Sequence, residues 1–290
     1  MIKKINYEIN YNNLILSAAI GYKWNNLKVF VKSLRNVSND RVIFIVDKNI
    51  DKITKNNLDH YKIEYFTYTN KNLSKIFDKE KFISDVAQKR YEIYELILKK
   101  LIIKPKKILL TDSRDVVFQT NIFKYVFKKP LNFFLESERI LNDSRNIKWL
   151  KRTVGKDEFE KIKNNFISGS GTTLGNYNEI LNYTSLMIKY LFLFPYKRPF
   201  RHIIIFKKVQ TGFDQGIHNY LIHNDFFKNK ECHKNNFSRI CTTAYMKNFK
   251  FNKKGQLINK KGKIYSLIHQ YDRSFKKDGS EVFKFENIYE

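Results

Sequence analysis

Cysteine is nearly absent from this chain. Cys232 and Cys241 are the only two in 290 residues, too few to staple a fold of this size, so the core must be held by packing and a reducing compartment fits. Four prolines and ten glycines leave few points at which the chain can break into linkers. No low-complexity stretch or repeat period is visible, so one compact domain over 1–290 is expected. Long apolar runs are also missing. The apolar and basic stretch from Tyr190 to Phe206 is interrupted by Pro195, Pro199 and its own charges, well short of the roughly 20 residues that span a bilayer. It suits at most the surface of an anionic membrane, with a buried helix end followed by a strand as the plainer reading. Residues Met1 to Glu8 lead into no apolar core of the about 7 to 15 residues a signal peptide needs. A cytoplasmic location, with peripheral association at the inner membrane face, is therefore expected.

Acidic residues are scarce beside basic ones, 28 against 55, for a formal net charge of +27. Such a charge attracts any polyanion. The lysines are spread among Asn, Ile, Phe and Tyr rather than gathered into a basic arm, and no nucleic-acid motif is recognisable. Specific nucleic-acid binding is not expected. It remains the rival reading outside catalysis, resting on the charge and on aromatics that could stack bases. His218, His223 and His233 lie near the two cysteines in sequence, but the spacings match no zinc site.

With 42% hydrophobic and 16% aromatic residues, a large core can form. Leu14 to Ala19 reads as a buried strand that meets Gly21, Leu27 to Leu34 as a helix, and Val42 to Val46 as a second buried strand ending at Asp47. Strand, helix, strand implies a parallel sheet and an α/β class. A longer helix is expected from about Phe82 to Leu101, closed by Lys104-Pro105-Lys106. Ile108 to Thr111 is then a third buried strand, which delivers Asp112 and Asp115 to its carboxyl end, where ligands bind in open α/β sheets. Beyond Pro130, Phe133 to Leu135 reads as a strand, Ile167 to Gly171 as a tight glycine turn, and Glu179 to Phe192 as a helix. Turns are expected at Asn252 to Gly255 and Asn259 to Gly262, ahead of a strand from Ile264 to Ile268 and then His269.

Two carboxylates at a buried strand end can hold a hard divalent cation, Mn²⁺ or Mg²⁺, that also takes diphosphate oxygens. On spacing alone the plainer reading is favoured, with Asp112 capping a turn and Asp115 paired with Arg114 or a lysine. The string Ile108-Leu-Leu-Thr-Asp-Ser-Arg-Asp-Val-Val-Phe-Gln119, however, resembles the D-x-D region of GT-A glycosyltransferases, most like bacterial and viral relatives with an Asp-x-Arg-Asp-Val-Val-Phe-Gln form. It departs from strict D-x-D by one residue, so either Asp112 or Ser113 stands at the first acid position, while Asp115 matches the second, a metal ligand. Three further stretches follow in the family's order. Ile167 to Gly175 resembles the small-residue loop beneath the sugar, Asp214-Gln215-Gly216 the Asp-Gln acceptor motif, and Leu267 to Arg273 the segment whose histidine, here His269, completes the metal site.

The resemblance implies a Rossmann-like GT-A fold: a mixed, mostly parallel sheet flanked by helices, with a smaller C-terminal acceptor-side lobe. The nucleotide-sugar half spans about 10–130 and the acceptor half about 131–290. The implied activity is metal-dependent transfer of a sugar from a nucleotide-diphosphate donor, expected to be a UDP-sugar, to a hydroxyl of a glycan or other acceptor, as in polysaccharide biosynthesis. Ser17, Ala18 and Tyr22 are candidates for the base and ribose pocket, and Arg90, Asp112, Ser113, Gly169, Ser170 and Gly171 for the diphosphate and sugar. Asp112, Asp115 and His269 are the candidate metal ligands, and Asp214, Glu136 and Glu138 the candidate bases. Each has a plainer alternative: a turn at the glycines, a helix cap at Asp214, a hydrogen-bonded core residue at His269, a buried ion pair at Arg90, and a solvated strand end at Glu136 and Glu138. A sugar nucleotidylyltransferase would share the fold class, but the Gly-rich loop expected there is missing after Leu16.

Overall fold

The computed structural model describes residues 8–68, 86–194 and 212–272. Its first half alternates strands and helices: β1 (Asn10–Ala18), α1 (Trp24–Arg35), β2 (Asp40–Asp47), α2 (Lys52–His60), β3 (Glu64–Tyr68), α3 (Val86–Lys100) and β4 (Lys107–Thr111). The strands β3, β2, β1 and β4 lie side by side and parallel in that order. The order reverses direction between β1 and β4, which opens a crevice at their carboxyl ends. The expected helix from Phe82 is observed from Val86 onward, and its earlier part lies outside the described residues.

The central strands β1, β2 and β4 are buried on both faces along their apolar runs. Leu14, Leu16, Ile43, Ile45, Ile108 and Leu110 point to one side, where Tyr91 and Tyr94 of α3 cover them. Ile15, Val42, Phe44, Val46 and Leu109 point to the other, against Leu27, Phe30 and Leu34 of α1. This two-residue alternation is the pleat itself.

The second half extends the same sheet. After β5 (Val116–Phe118) come β6 (Leu131–Arg139), α4 (Ser144–Thr153), α5 (Lys156–Ile162), β7 (Phe166–Asn176), α6 (Tyr177–Leu193), α7 (Phe213–His223) and β8 (Lys230–His233). β7 pairs antiparallel with β4 and with β6, and β8 runs parallel to β6, for a seven-stranded sheet in the order β3-β2-β1-β4-β7-β6-β8. The α/β fold is therefore a mixed, mostly parallel sheet with helices on both faces. One expectation is corrected: Ile167 to Gly171 is not a turn but part of the eleven-residue β7. Its glycines are there because neighbouring side chains come too close for a Cβ, a role glycine takes in strands as well as in turns. The 195–206 part of the Tyr190 to Phe206 stretch lies outside the described residues.

A smaller sheet completes the fold. β9 (Ile240–Thr242) and β5 flank β12 (Leu267–His269), and β10 (Lys250–Phe251) pairs with β11 (Leu257–Ile258) as a hairpin between them. The two expected turns form: Gly255 and Gly262 adopt positive φ, and their amides bond to the carbonyls of Asn252 and Asn259. The final strand is shorter than expected, with Ile264 making only an isolated bridge to Ile258. Gln119 clasps this lobe. Its side-chain amide donates to the carbonyls of Leu257 (3.0 Å) and Tyr265 (2.8 Å) and accepts from the Leu257 amide (2.8 Å).

α1 is joined to β5 by Phe118, whose amide bonds to Ser33 Oγ at 3.1 Å and whose ring meets Phe30 edge-on. Phe30 is fully buried and also packs edge-on against Phe44. Phe30→Ala should lower the unfolding free energy by about 3–5 kcal/mol, read from the urea midpoint at an unchanged slope.

Candidate active site

β4 ends at Thr111, and the turn Asp112 to Asp115 carries the chain from the large sheet into β5 of the small one. The Asp112 amide bonds to the Gly171 carbonyl at 2.9 Å, and Ser113 Oγ donates to the Ala18 carbonyl at 2.8 Å. The turn is thus tied to β7 on one side and to β1 on the other. In the small sheet His269 is in register with Val116 and with Thr242. That register sets His269 beside Asp115, whose carbonyl accepts the Gln270 amide at 2.7 Å. Gln270 itself holds a positive φ of 59°, a left-handed backbone that is costly for a residue with a Cβ.

Asp112, Asp115 and His269 converge: one ligand atom from each lies within 4.8 Å of the others. Among the described residues this is the only such group of acidic, histidine and cysteine side chains. The histidines near the cysteines are engaged elsewhere, His218 with Ser168 and Tyr183, His223 with the Phe166 carbonyl and His233 with Asn132. Thr242 Oγ1 meets His269 Nδ1 at 3.2 Å, which orients the ring so that Nε2 faces Asp112 Oδ2, also at 3.2 Å. An oriented imidazole with two carboxylates is a hard-to-intermediate donor set that fits Mn²⁺ or Mg²⁺.

Arg90 reaches in from α3. Its Nη1 donates to Asp112 Oδ1 at 2.8 Å and its Nη2 to Asp214 Oδ2 at 2.9 Å, with Ser170 Oγ 3.2 Å from the same Asp214 oxygen. Asp214 is not the helix cap. Gly212 is, and Asp214 sits in the first turn of α7, where the helix dipole also favours a carboxylate. The neighbouring Gln215 works on the backbone: Oε1 accepts the Ser170 amide (2.8 Å) and Nε2 donates to the Ser168 carbonyl (2.7 Å). These bonds replace ladder contacts where the β6–β7 register shifts between Phe133 and Leu135 and again before Arg139.

Gly171 shows why this strand needs small residues. A Cβ there would lie 2.6 Å from Asp112 Oδ2 and 2.7 Å from His269 Nε2, and one at Gly169 would lie 3.0 Å from Glu136 Oε1. The cavity above this floor has a volume of ≈490 Å³. Ala18, Tyr22, Arg90, Asp112, Ser113, Asp115, Glu136, Gly169, Ser170, Gly171, Asp214 and His269 line it, so most of the expected residues meet in one place. Two do not. Ser17 is fully buried behind the wall. Glu138 faces an adjoining groove, also of ≈490 Å³, and bonds to Asn142 Nδ2 and the Arg139 amide.

Sequence reading missed the far wall. Arg145, Asn146 and Trp149 of α4 and Tyr245 of the loop after β9 all line the cavity. Tyr245 donates to Asp143 and accepts from Arg145, which holds its ring between the two hollows. Trp149 lies over Gly212, where a Cβ would come within 2.1 Å of its indole. A glycine just ahead of Asp214 was the one available signal.

Burial works against charge on His269, but the carboxylates of Asp112, Asp115 and Glu136 outweigh it and raise its pKa above the usual histidine value. Burial likewise opposes charge on Asp112, yet His269 and Arg90 hold its pKa well below the usual carboxylate range. Asp214 shifts the other way: burial and the nearby Asp112 raise its pKa, only partly offset by Arg90.

The chain matches no protein-family model and no curated protein. Among solved structures it is similar to the glycosyltransferase GlyE of Streptococcus pneumoniae TIGR4, with a TM-score of 0.51 and 10% identity. The likeness covers 97% of this chain and 59% of that one, so the chain spans under two thirds of its neighbour's length. At that identity the two share a fold.

Two outcomes follow from the geometry. A cation must displace the proton of His269, so Mn²⁺ affinity measured by calorimetry should rise by about tenfold per pH unit until the raised His269 pKa is passed, then level off, with about one proton released. His269→Ala should flatten that profile. Gly171→Ala should fold yet bind Mn²⁺ at least about tenfold more weakly, because its methyl occupies the space between Asp112 and His269.

Proposed function

We propose that this chain is a divalent-metal-dependent glycosyltransferase, moving a sugar from a nucleotide-diphosphate donor, a UDP-sugar by our reading, to a hydroxyl of a glycan or other acceptor. The observation that carries the proposal is the convergence of Asp112, Asp115 and His269 beside Arg90, over a glycine floor, at the crevice where the strand order reverses. Such crevices bind nucleotides, and ≈490 Å³ is the size of a small-molecule site.

When bound, Mn²⁺ or Mg²⁺ would be held by Asp112, Asp115 and His269 and would supply Lewis-acid stabilisation to the leaving diphosphate. The chain's own groups do the rest. Ala18 and Tyr22 close the side where a base and ribose fit, with Tyr22 offering a ring face. Arg90 fixes Asp112 and Asp214 with one guanidinium, so both carboxylates are set before substrate arrives. Ser170, Gly169 and Gly171 let the sugar approach the backbone of β7 closely.

Trp149 and Tyr245 present apolar faces to a pyranose ring at the acceptor end. If the reaction inverts the anomeric centre, Glu136 and Asp214 are the carboxylates within the cavity that can take the acceptor proton. Burial keeps Asp214 more basic than an ordinary aspartate. Glu138 opens on the adjoining groove, and we assign it to acceptor contacts. Retention would need no protein base.

A panel of nucleotide sugars with Mn²⁺, Mg²⁺ or EDTA tests the reading. Donor hydrolysis should require the metal, and UDP should bind far more tightly with it than without. Asp115→Asn keeps the side-chain volume and removes the charge, so turnover should fall at least about 100-fold with little change in melting temperature. Early melting with near-normal turnover would instead make Asp115 a structural partner of Arg114, and equal UDP affinity in EDTA would remove the metal.

A further inference from the structure

At the end of the central sheet away from the cavity, Ile102 is 99% exposed and Val126 80%, the two most exposed large apolar side chains among the described residues. Ile103 (57%) and Tyr125 (39%) stand beside them in sequence. The two loops share one edge, because Lys107 Nζ donates to the carbonyls of Phe123 (3.4 Å) and Tyr125 (3.3 Å). The outer end of β1 joins them through a 2.7 Å bond from the Lys106 amide to the Asn12 carbonyl, next to the exposed Tyr11.

The composition of these loops is unlike the rest of the chain. Residues 99–107 hold five lysines and residues 124–130 three, half of all positions, against 55 basic residues in 290 overall, and neither loop has a carboxylate. Lys99 pairs with Glu95 and Lys107 holds the loops together. Lys100, Lys104 and Lys106 on one loop, and Lys124, Lys128 and Lys129 on the other, make no ion pair among the described residues; Lys104 lies over the Tyr177 ring.

We infer that this edge docks on an anionic lipid surface. Apolar pairs at loop tips, Ile102 with Ile103 and Tyr125 with Val126, ringed by lysines, suit insertion at a lipid interface. The ammonium groups on their flexible stems can reach lipid phosphates around each tip. The two most exposed side chains, Ile102 and Val126, are aliphatic and offer no face on which a nucleic-acid base could stack, leaving only Tyr11 and Tyr125 for that role. The contact lies apart from the Tyr190 to Phe206 stretch that composition alone picks out. β4 runs from Lys107 at this edge to Thr111 at the cavity, about 13 Å away, so the docked enzyme holds its cavity toward solvent.

Flotation of the whole protein with phosphatidylcholine vesicles, with and without phosphatidylglycerol, tests this. Binding should require phosphatidylglycerol and weaken with salt. Ile102→Ser combined with Ile103→Ser should lower the partition coefficient at least about tenfold, whereas Ile53→Ser, 67% exposed on α2, should leave it unchanged. Tryptophan emission of Ile102→Trp should shift to the blue on the anionic vesicles. No flotation, or equal flotation of the double serine variant, would overturn the inference, the latter by assigning attraction to net charge alone. Self-association, or single-stranded RNA binding, lost in the double serine variant while vesicle binding is kept would overturn it in favour of a second copy or RNA.

Discussion

The cavity is organised around four carboxylates gathered in one place, Asp112, Asp115, Glu136 and Asp214. Arg90 bonds to Asp112 and Asp214, His269 meets Asp112, Arg114 lies 3.9 Å from Asp115, and Arg145 lines the same cavity. Arg114 is shared with Asp272, which it meets at 3.1 Å. Burying clustered carboxylates is costly, and the fold tolerates them because Arg90 spans Asp112 and Asp214 while His269, its pKa raised by these acids, also meets Asp112. In a chain of net charge +27, this concentration of negative charge is local and built, not a matter of composition. A divalent cation is the counterpart that would discharge it.

Much of the fold could be read before the structure. Strands β1, β2 and β4 announce themselves because both their faces are covered, so their sequences contain unbroken apolar runs. The position of Asp112 and Asp115 follows from the end of such a run. His269 was assignable only through the order of motifs, since nothing local says that a three-residue strand will lie in register with Val116. Long-range register is a tertiary outcome, decided here by β5, β9 and the clasp of Gln119.

The misreading at Ile167 to Gly171 has a physical origin. Gly and Ser commonly mark turns, and a strand with glycines at alternate positions carries no local signal that distinguishes it. Only the approach of Asp112, His269 and Glu136 explains those glycines. The far wall was silent for a similar reason. Arg145 and Trp149 lie on α4, a short and mostly polar helix whose inward face is set by contact with Gly212 of a different segment. Gln270, whose positive φ belongs to no glycine or asparagine, was equally invisible. These are the places where the site departs from the local rules that make the rest of the chain legible.

The Gln119 clasp also separates two properties that the small lobe would otherwise couple. It grips the chain at Leu257 and at Tyr265, on the path that delivers His269, while the Asn252 to Gly255 turn projects beyond the grip into open space. Length changes at that tip need not propagate into the register of β12. The turn is therefore a natural place to splice in a peptide tag or a reporter, and a place where related chains could diverge in length without disturbing the histidine downstream.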